Sequence, residues 1–413
     1  MPPTAARHHL GGHELLEIVV YNPKPYTNAC GADVFGAAYN DCATTGQRPP
    51  GEPDCPPDTS LYFDCGVQLK LTAAQDVKHG MHTADVVLIG GTHGEAAKAH
   101  DARDGERLAR YMPDPKHKRP GQIWLWCSKE NRRSYVQLPD SVLFGERAID
   151  YVLSYRVGAE SPRSLPTTFL STIFVGDFAR TLRPAAPPPA RGERIQKLVV
   201  MQAKCDGNAL FEERTHFIEH LVRELGRERV DSLGKCLHNA EPRFPWLGKP
   251  WDKSSLGPRP AAFHANKMDN IEGYAFTLAA ESVRTDDWVT EKVYQALAVG
   301  SVPVYWGAPN VQAFLPCRHC AIDASRFASA RALARHLTYL LHNESAYQEY
   351  LAWTRTPYDP RDFAGFERLV RANSFDTTMC RICEKLRPGR CDCARRGCTM
   401  RQQDYARMLG KHG

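Results

Sequence analysis

No apolar run in this sequence approaches the ~18–20 residues that a membrane-spanning helix needs. The opening stretch, MPPTAARHHLGGHELLEIVV, also lacks the charged-then-apolar layout of a secretion signal, and its short apolar part reads as a strand. Missing too is any dense Lys/Arg stripe interleaved with aromatics. A formal charge of +6 over 413 residues is mild, so composition argues against a nucleic-acid partner and fits a local basic pocket for a phosphorylated small ligand. No internal repeat is visible. What remains is ordinary for a globular chain, 42% apolar and 24% charged, and long enough for two or three domains.

Cysteine, by contrast, is abundant. Of fourteen cysteines, nine cluster near the two ends and five lie between, an even total that points to disulfides in an oxidising compartment. Cys317-Arg-His-Cys320 and Cys380-Arg-Ile-Cys383 form two C-x2-C pairs, and spacing alone leaves a zinc site open for them. One segment, RTLRPAAPPPARGER (Arg180–Arg194), is proline-rich, stiff and unsuited to a sheet interior, so a domain boundary is expected there.

Before that segment, short apolar runs read as buried strands: Leu16–Tyr21, Val67–Leu71, Ala84–Gly91, Ile123–Cys127 and Tyr151–Tyr155. After it, strands at Lys197–Gln202, Ala275–Glu281 and Ser301–Gly307 alternate with helical faces. Phe217, Ile218, Leu221, Val222 and Leu225 form one such face, Val293, Tyr294 and Leu297 a second, and Leu333, Ala334, Leu337, Leu340 and Leu341 a third. Alternation of this kind predicts α/β halves with parallel sheets covered on both sides, and two halves would leave a cleft between them.

The stretch DDWVTEKVYQALAVGSVPVYWGAPN (Asp286–Asn310) carries the most chemistry. Thr290 is placed to N-cap a helix, which puts Glu291 and Lys292 in its first turn. A helix starting at the carboxyl end of a parallel strand directs unpaired N–H groups into the crevice, and a lysine there makes a diphosphate site. On spacing alone, a solvated Glu-Lys pair beside an N-cap would look the same.

The wider block YAFTLAAESVRTDDWVTEKVYQALAVGSVPVYWGAPNVQAFLP (Tyr274–Pro316) resembles the signature of the α1,3-fucosyltransferases, glycosyltransferase family 10: Y-K-F-x-L-x-F-E-N-S, D-Y-V-T-E-K, A-L-x-x-G-x-V-P-V and G-x-P-N. Other blocks follow in that family's order. QIWLWCSKEN (Gln122–Asn131), DYVLSYRVGAES (Asp150–Ser161), KLVVMQAKCDGNALFEERTHFIEHL (Lys197–Leu221) and VDSLGKC (Val230–Cys236) each resemble a family segment. GAPNVQ and the C-terminal CRIC…CDCARRG look most like the plant-type members, which act on the innermost GlcNAc of N-glycans.

The resemblance implies a GT-B fold, two Rossmann-like domains facing across a cleft. The expected division is an unstructured leader 1–13, an acceptor domain 14–180, a linker 181–194, a GDP-fucose domain 195–360 and a Cys-rich tail 361–413. It implies inverting transfer from GDP-β-L-fucose to a GlcNAc-bearing glycoprotein or oligosaccharide, with Glu130 as the catalytic base. Lys292 and Arg214 would clamp the leaving GDP and Glu291 would hold the ribose. Tyr274 would lie near guanine, with Glu281, Tyr155 and Arg156 also near the donor. For Arg214, a surface helix arginine is the alternative; for Tyr274, a core aromatic.

Cys380, Cys383, Cys391 and Cys393 match a disulfide pattern under this resemblance, with Cys317 and Cys320 as further disulfide candidates, and Asn343 in Asn-Glu-Ser is a candidate glycan acceptor in a loop. No Asp-x-Asp motif is visible, and Lys/Arg can replace a divalent cation, so no cofactor or metal is expected to be essential. Family members are Golgi lumenal enzymes with an N-terminal membrane anchor, which this chain is expected to be missing. The clearest departure is Ala280-Glu281-Ser282 where the family has Phe-Glu-Asn; Trp288 also replaces a tyrosine. A catalytically weak GDP-fucose binder and a cysteine-stapled or zinc-bound interaction protein are the alternative readings.

Overall fold

In the computed structural model, the chain is described at residues 9–10, 13–21, 60–62, 67–72, 84–90, 115–128, 149–156, 164–166, 188–205, 209–245, 261–355 and 366. It divides into two compact units, Met1–Thr167 with Ala372–Gly413, and Thr168–Arg371. The division precedes the proline-rich stretch at which the sequence places it. One physical reason is visible just beyond the prolines. Arg191 donates to the Leu341 carbonyl at 2.8 Å, and Arg194 pairs with Glu344 at 2.6 Å while its guanidinium lies 3.8 Å from the centre of the Tyr347 ring. This segment is therefore packed into the second unit.

The first unit carries strands β1 (His9–Leu10), β2 (His13–Tyr21), β3 (Ser60–Tyr62), β4 (Val67–Thr72), β5 (Val86–Gly90), β6 (Ile123–Ser128), β7 (Tyr151–Ser154) and β8 (Ser164–Pro166). The sheet order is β3-β4-β2-β5-β6-β7-β8, with β1 pairing β2 off this path. All pairings from β4 to β8 are parallel; β3 and β1 join antiparallel. β1 corrects the leader expected over residues 1–13, because its register pairs Leu10 with His13. β5 and β6 bury Val86, Val87, Leu88, Ile89, Trp124, Leu125 and Trp126, the continuous apolar runs expected of parallel strands covered on both faces.

The second unit has β9 (Ile195–Val200), α1 (Ala209–Leu225), β10 (Val230–Ser232), α2 (Ala261–Ile271), β11 (Tyr274–Ala280), α3 (Glu291–Ala298), β12 (Val302–Trp306), β13 (Ile322–Asp323), α4 (Ala330–His342) and α5 (Glu344–Glu349). Its sheet is wholly parallel in the order β10-β9-β11-β12-β13. Every residue of β11 is buried, as befits the central strand. Ile218, Leu221, Leu225, Leu333, Leu337 and Leu340 from α1 and α4 pack into the core with Val200, Phe276 and Val304. Strand order reverses between β9 and β11. In open α/β sheets, ligands bind at the carboxyl ends of the strands flanking such a switch point.

Candidate functional site

Three loops meet at that switch point. Gln202, just beyond β9, donates from its amide to the Ala280 carbonyl at the end of β11, 3.2 Å away. The next residue, Glu281, continues the ladder by donating its N–H to the Trp306 carbonyl at 2.8 Å. Its carboxylate is wholly buried. It accepts from the Thr290 N–H at 2.8 Å, from the Thr290 hydroxyl at 2.8 and 3.0 Å, and from the Lys292 ammonium at 3.0 Å. Thr290 is thus the N-cap residue of α3, as its position in the sequence suggests, but its hydroxyl caps no helical N–H. It links Glu281 to Lys292, whose ammonium donates to it at 2.6 Å.

Packing forces this arrangement. Gly307 directly follows β12, where a Cβ would lie 2.5 Å from the Tyr305 hydroxyl and 2.7 Å from Glu281 Cγ, so only glycine fits without displacement. Asp287, with φ 65, presents its N–H to Asn310 Oδ1 at 2.9 Å and accepts from Asn310 Nδ2 at 2.8 Å. The loop carrying Thr290 is therefore pinned to the turn after β12. Ser282 and Trp288, both departures from the family pattern, contact each other: the indole N–H donates to the Ser282 hydroxyl at 3.1 Å.

Arg214 enters from α1. It is 4% exposed, which excludes the surface-arginine alternative. Its Nη2 donates to the Lys204 carbonyl at 2.6 Å, its guanidinium lies 4.9 Å from the Phe211 ring centre, and its buried Nε has no partner. Desolvation pushes its pKa down to about 10, partly offset by the Glu281 charge. For Lys292, desolvation pulls downward, but Glu281 and Glu291 outweigh it and the pKa is raised; Arg214 acts against them. Glu291 lies 3.5 Å from the same ammonium.

Arg214, Glu281, Glu291 and Lys292 are thus brought together. Tyr274 is not: it starts β11 at the opposite end of that strand, seven residues or about 23 Å from Glu281. Its ring packs with Val199, Leu233 and Ile271, and its hydroxyl donates to Asp231 at 3.0 Å. The core-aromatic alternative holds, and the guanine contact is withdrawn. Glu281 likewise acts as a buried anchor for Thr290 and Lys292. Tyr155 and Arg156 follow β7 in the first unit, Tyr155 buried and Arg156 half-buried. Glu130, Cys380, Cys383, Cys391 and Cys393 lie outside the described residues.

Cys317 and Cys320 are bonded to each other. Asn343 does not sit in a loop; it is the single residue joining α4 to α5. Its Oδ1 accepts from the Ala346 N–H at 3.1 Å, and its amide donates to the Tyr339 hydroxyl at 2.8 Å. Sequence reasoning missed the Cys205–Cys236 disulfide, which ties the loop after β9 to the loop after β10. The close approach of these loops has one sequence signal, Gly234, where a Cβ would lie 2.6 Å from the Gln202 backbone nitrogen.

Residues 193–394 match the glycosyltransferase family 10 (fucosyltransferase) C-terminal domain. The chain carries a family 10 domain. Among relatives, GDP-fucose protein O-fucosyltransferase 3 of Gallus gallus is 29% identical over 54% of this chain and 45% of its own length. The alpha-(1,4)-fucosyltransferase of Arabidopsis thaliana is 38% identical over 38% of this chain and 37% of its own. The chain thus spans less than half the length of these relatives. A crystal structure of an α1,3-fucosyltransferase with GDP aligns with TM-score 0.51 and 14% identity over 94% of each chain. That likeness concerns the fold alone: α/β, of the GT-B class, with the family 10 domain lying mainly in the second unit.

Proposed function

We propose that this chain is an inverting fucosyltransferase that takes L-fucose from GDP-β-L-fucose. The observation that carries this reading is the charged assembly of Lys292, Arg214, Glu281 and Glu291 at the switch point of a family 10 domain. Lys292 and Arg214 hold the diphosphate, with the N-terminus of α3 contributing its dipole. Glu291 accepts from ribose hydroxyls. Glu130 takes the proton from the acceptor hydroxyl as its oxygen attacks the anomeric carbon. The bond to phosphate breaks and GDP leaves with the electron pair, so one displacement inverts the centre. No metal is needed in this scheme, because two cations face the leaving charge.

The acceptor that the sequence favours is a GlcNAc hydroxyl, fucosylated in α1,3 linkage on an N-glycan core in the Golgi lumen. The relatives' names support a second reading, with the same donor and a protein hydroxyl as acceptor. GDP-fucose is offered to GlcNAc-terminated glycopeptides and to folded Ser/Thr-bearing domains, with linkage read by mass spectrometry. Fucosylated GlcNAc is the expected product, and transfer to Ser/Thr alone replaces the acceptor assignment. GDP binding with no product on either panel would leave a binding protein, not an enzyme. Glu130→Gln is expected to abolish transfer with GDP affinity nearly intact; equal loss of both removes Glu130 from the base role.

A further inference from the structure

The cations already described have their charge largely answered within the protein. Lys292 faces Glu281 and Glu291, and the Glu281 charge also acts on Arg214. These four side chains sum to zero, whereas a nucleoside diphosphate brings at least two negative charges.

A second connection at the same switch point carries a further lysine. Lys292 stands in the first turn of α3, which follows β11; Lys204 stands in the turn between β9 and α1, on the far flank of the reversal. Lys204 is exposed. Its backbone is held firmly: Arg214 donates to its carbonyl, and the next residue, Cys205, is bonded to Cys236 and accepts from Thr215 at 3.3 Å. Its ammonium lies 5.6 Å from the centre of the Phe211 ring, which the Arg214 guanidinium also approaches. One ring therefore carries two cations, an arrangement whose mutual repulsion an incoming anion relieves. Arg214 Nε is buried without a partner on the same side chain that anchors this turn.

We propose that Lys204 is a third cation of this site, contacting the diphosphate beside Arg214, with Phe211 as its resting platform. The inference rests on the nucleoside-diphosphate reading above. It is tested on the whole chain by titration calorimetry with GDP, UDP, inorganic pyrophosphate and guanosine, comparing wild type with Lys204→Gln and Lys204→Arg. Loss of one charge-assisted contact predicts a GDP and pyrophosphate affinity about ten- to a hundredfold weaker in Lys204→Gln. Guanosine binding should be unchanged, the salt dependence of GDP binding shallower, and Lys204→Arg close to wild type.

GDP and pyrophosphate affinities within twofold of wild type in Lys204→Gln overturn the proposal. So does an equal loss of guanosine binding, which would mark a rearranged loop. If the wild type binds pyrophosphate but does not favour GDP over UDP, the donor assignment fails while Lys204 is still judged on pyrophosphate. If it binds neither, both readings fall.

Discussion

Replacing Glu281 by glutamine removes one negative charge from a wholly buried position while preserving shape. Its oxygen can still accept from the Thr290 N–H, but the amide nitrogen now meets the Lys292 ammonium, donor against donor. Breaking a fully buried ion pair costs about 3–5 kcal/mol. Lys292 is 20% exposed and keeps some hydration, so the cost should fall below that range, at about 2–3 kcal/mol. For a unit of this size each kcal/mol lowers Tm by about 2–4 °C, giving a drop on the order of 5–10 °C. Thermal and urea unfolding of Glu281→Gln, Lys292→Met and the double variant form a double-mutant cycle. The double variant should be less destabilised than the two singles added together, with a coupling of at least about 1 kcal/mol. A Tm within a degree of wild type, or strict additivity, would refute the account of Glu281 as the anchor of this site.

Gly307→Ala should destabilise by about 1–3 kcal/mol and weaken GDP binding, because the new methyl drives against Tyr305 and Glu281; wild-type unfolding curves would contradict the packing described. Cys205→Ser with Cys236→Ser opens a closure 31 residues long, worth about 3–4 kcal/mol, and should also loosen GDP binding through the Lys204 carbonyl. Equal Tm in reduced and oxidised wild-type protein would count against it. GDP affinity should be flat from about pH 7.5 to 9. The raised pKa of Lys292 keeps its stabilising charge complete below its ordinary value of 10.5, to be lost only as pH climbs through the raised value. Arg214, lowered to about 10, is the first to discharge on the alkaline side. An affinity that falls with a midpoint below pH 9 would exclude both as the titrating cations.

The central strands were legible because burial on both faces leaves an apolar signature that survives in sequence: β5, β6, β9, β11 and β12 all coincide with runs read as strands. β1, β3, β8, β10 and β13 were not read, being only two or three residues long. A segment that short has no period to detect. Lys292 was legible because a helix start after a strand fixes where its side chain lies. Tyr274 was misplaced because a motif gives order along the chain but not the distance between the two ends of a strand. The role of Glu281 was hidden for another reason: burial of a carboxylate depends on what closes over it, here Thr290, Lys292 and Gly307, all distant in sequence. The Cys205–Cys236 bond is written in the adjacency of β9 and β10, which spacing does not encode.

The reciprocal contact between Asp287 and Asn310 has an evolutionary corollary. Asparagine offers one acceptor and one donor from a single planar group, and Asp287 uses both. Aspartate at 310 would set two carboxylates face to face, and an aliphatic residue would strand a peptide N–H in a left-handed bend. Drift at either position is therefore tied to drift at the other, and lineages of this sequence should alter the two together or keep both.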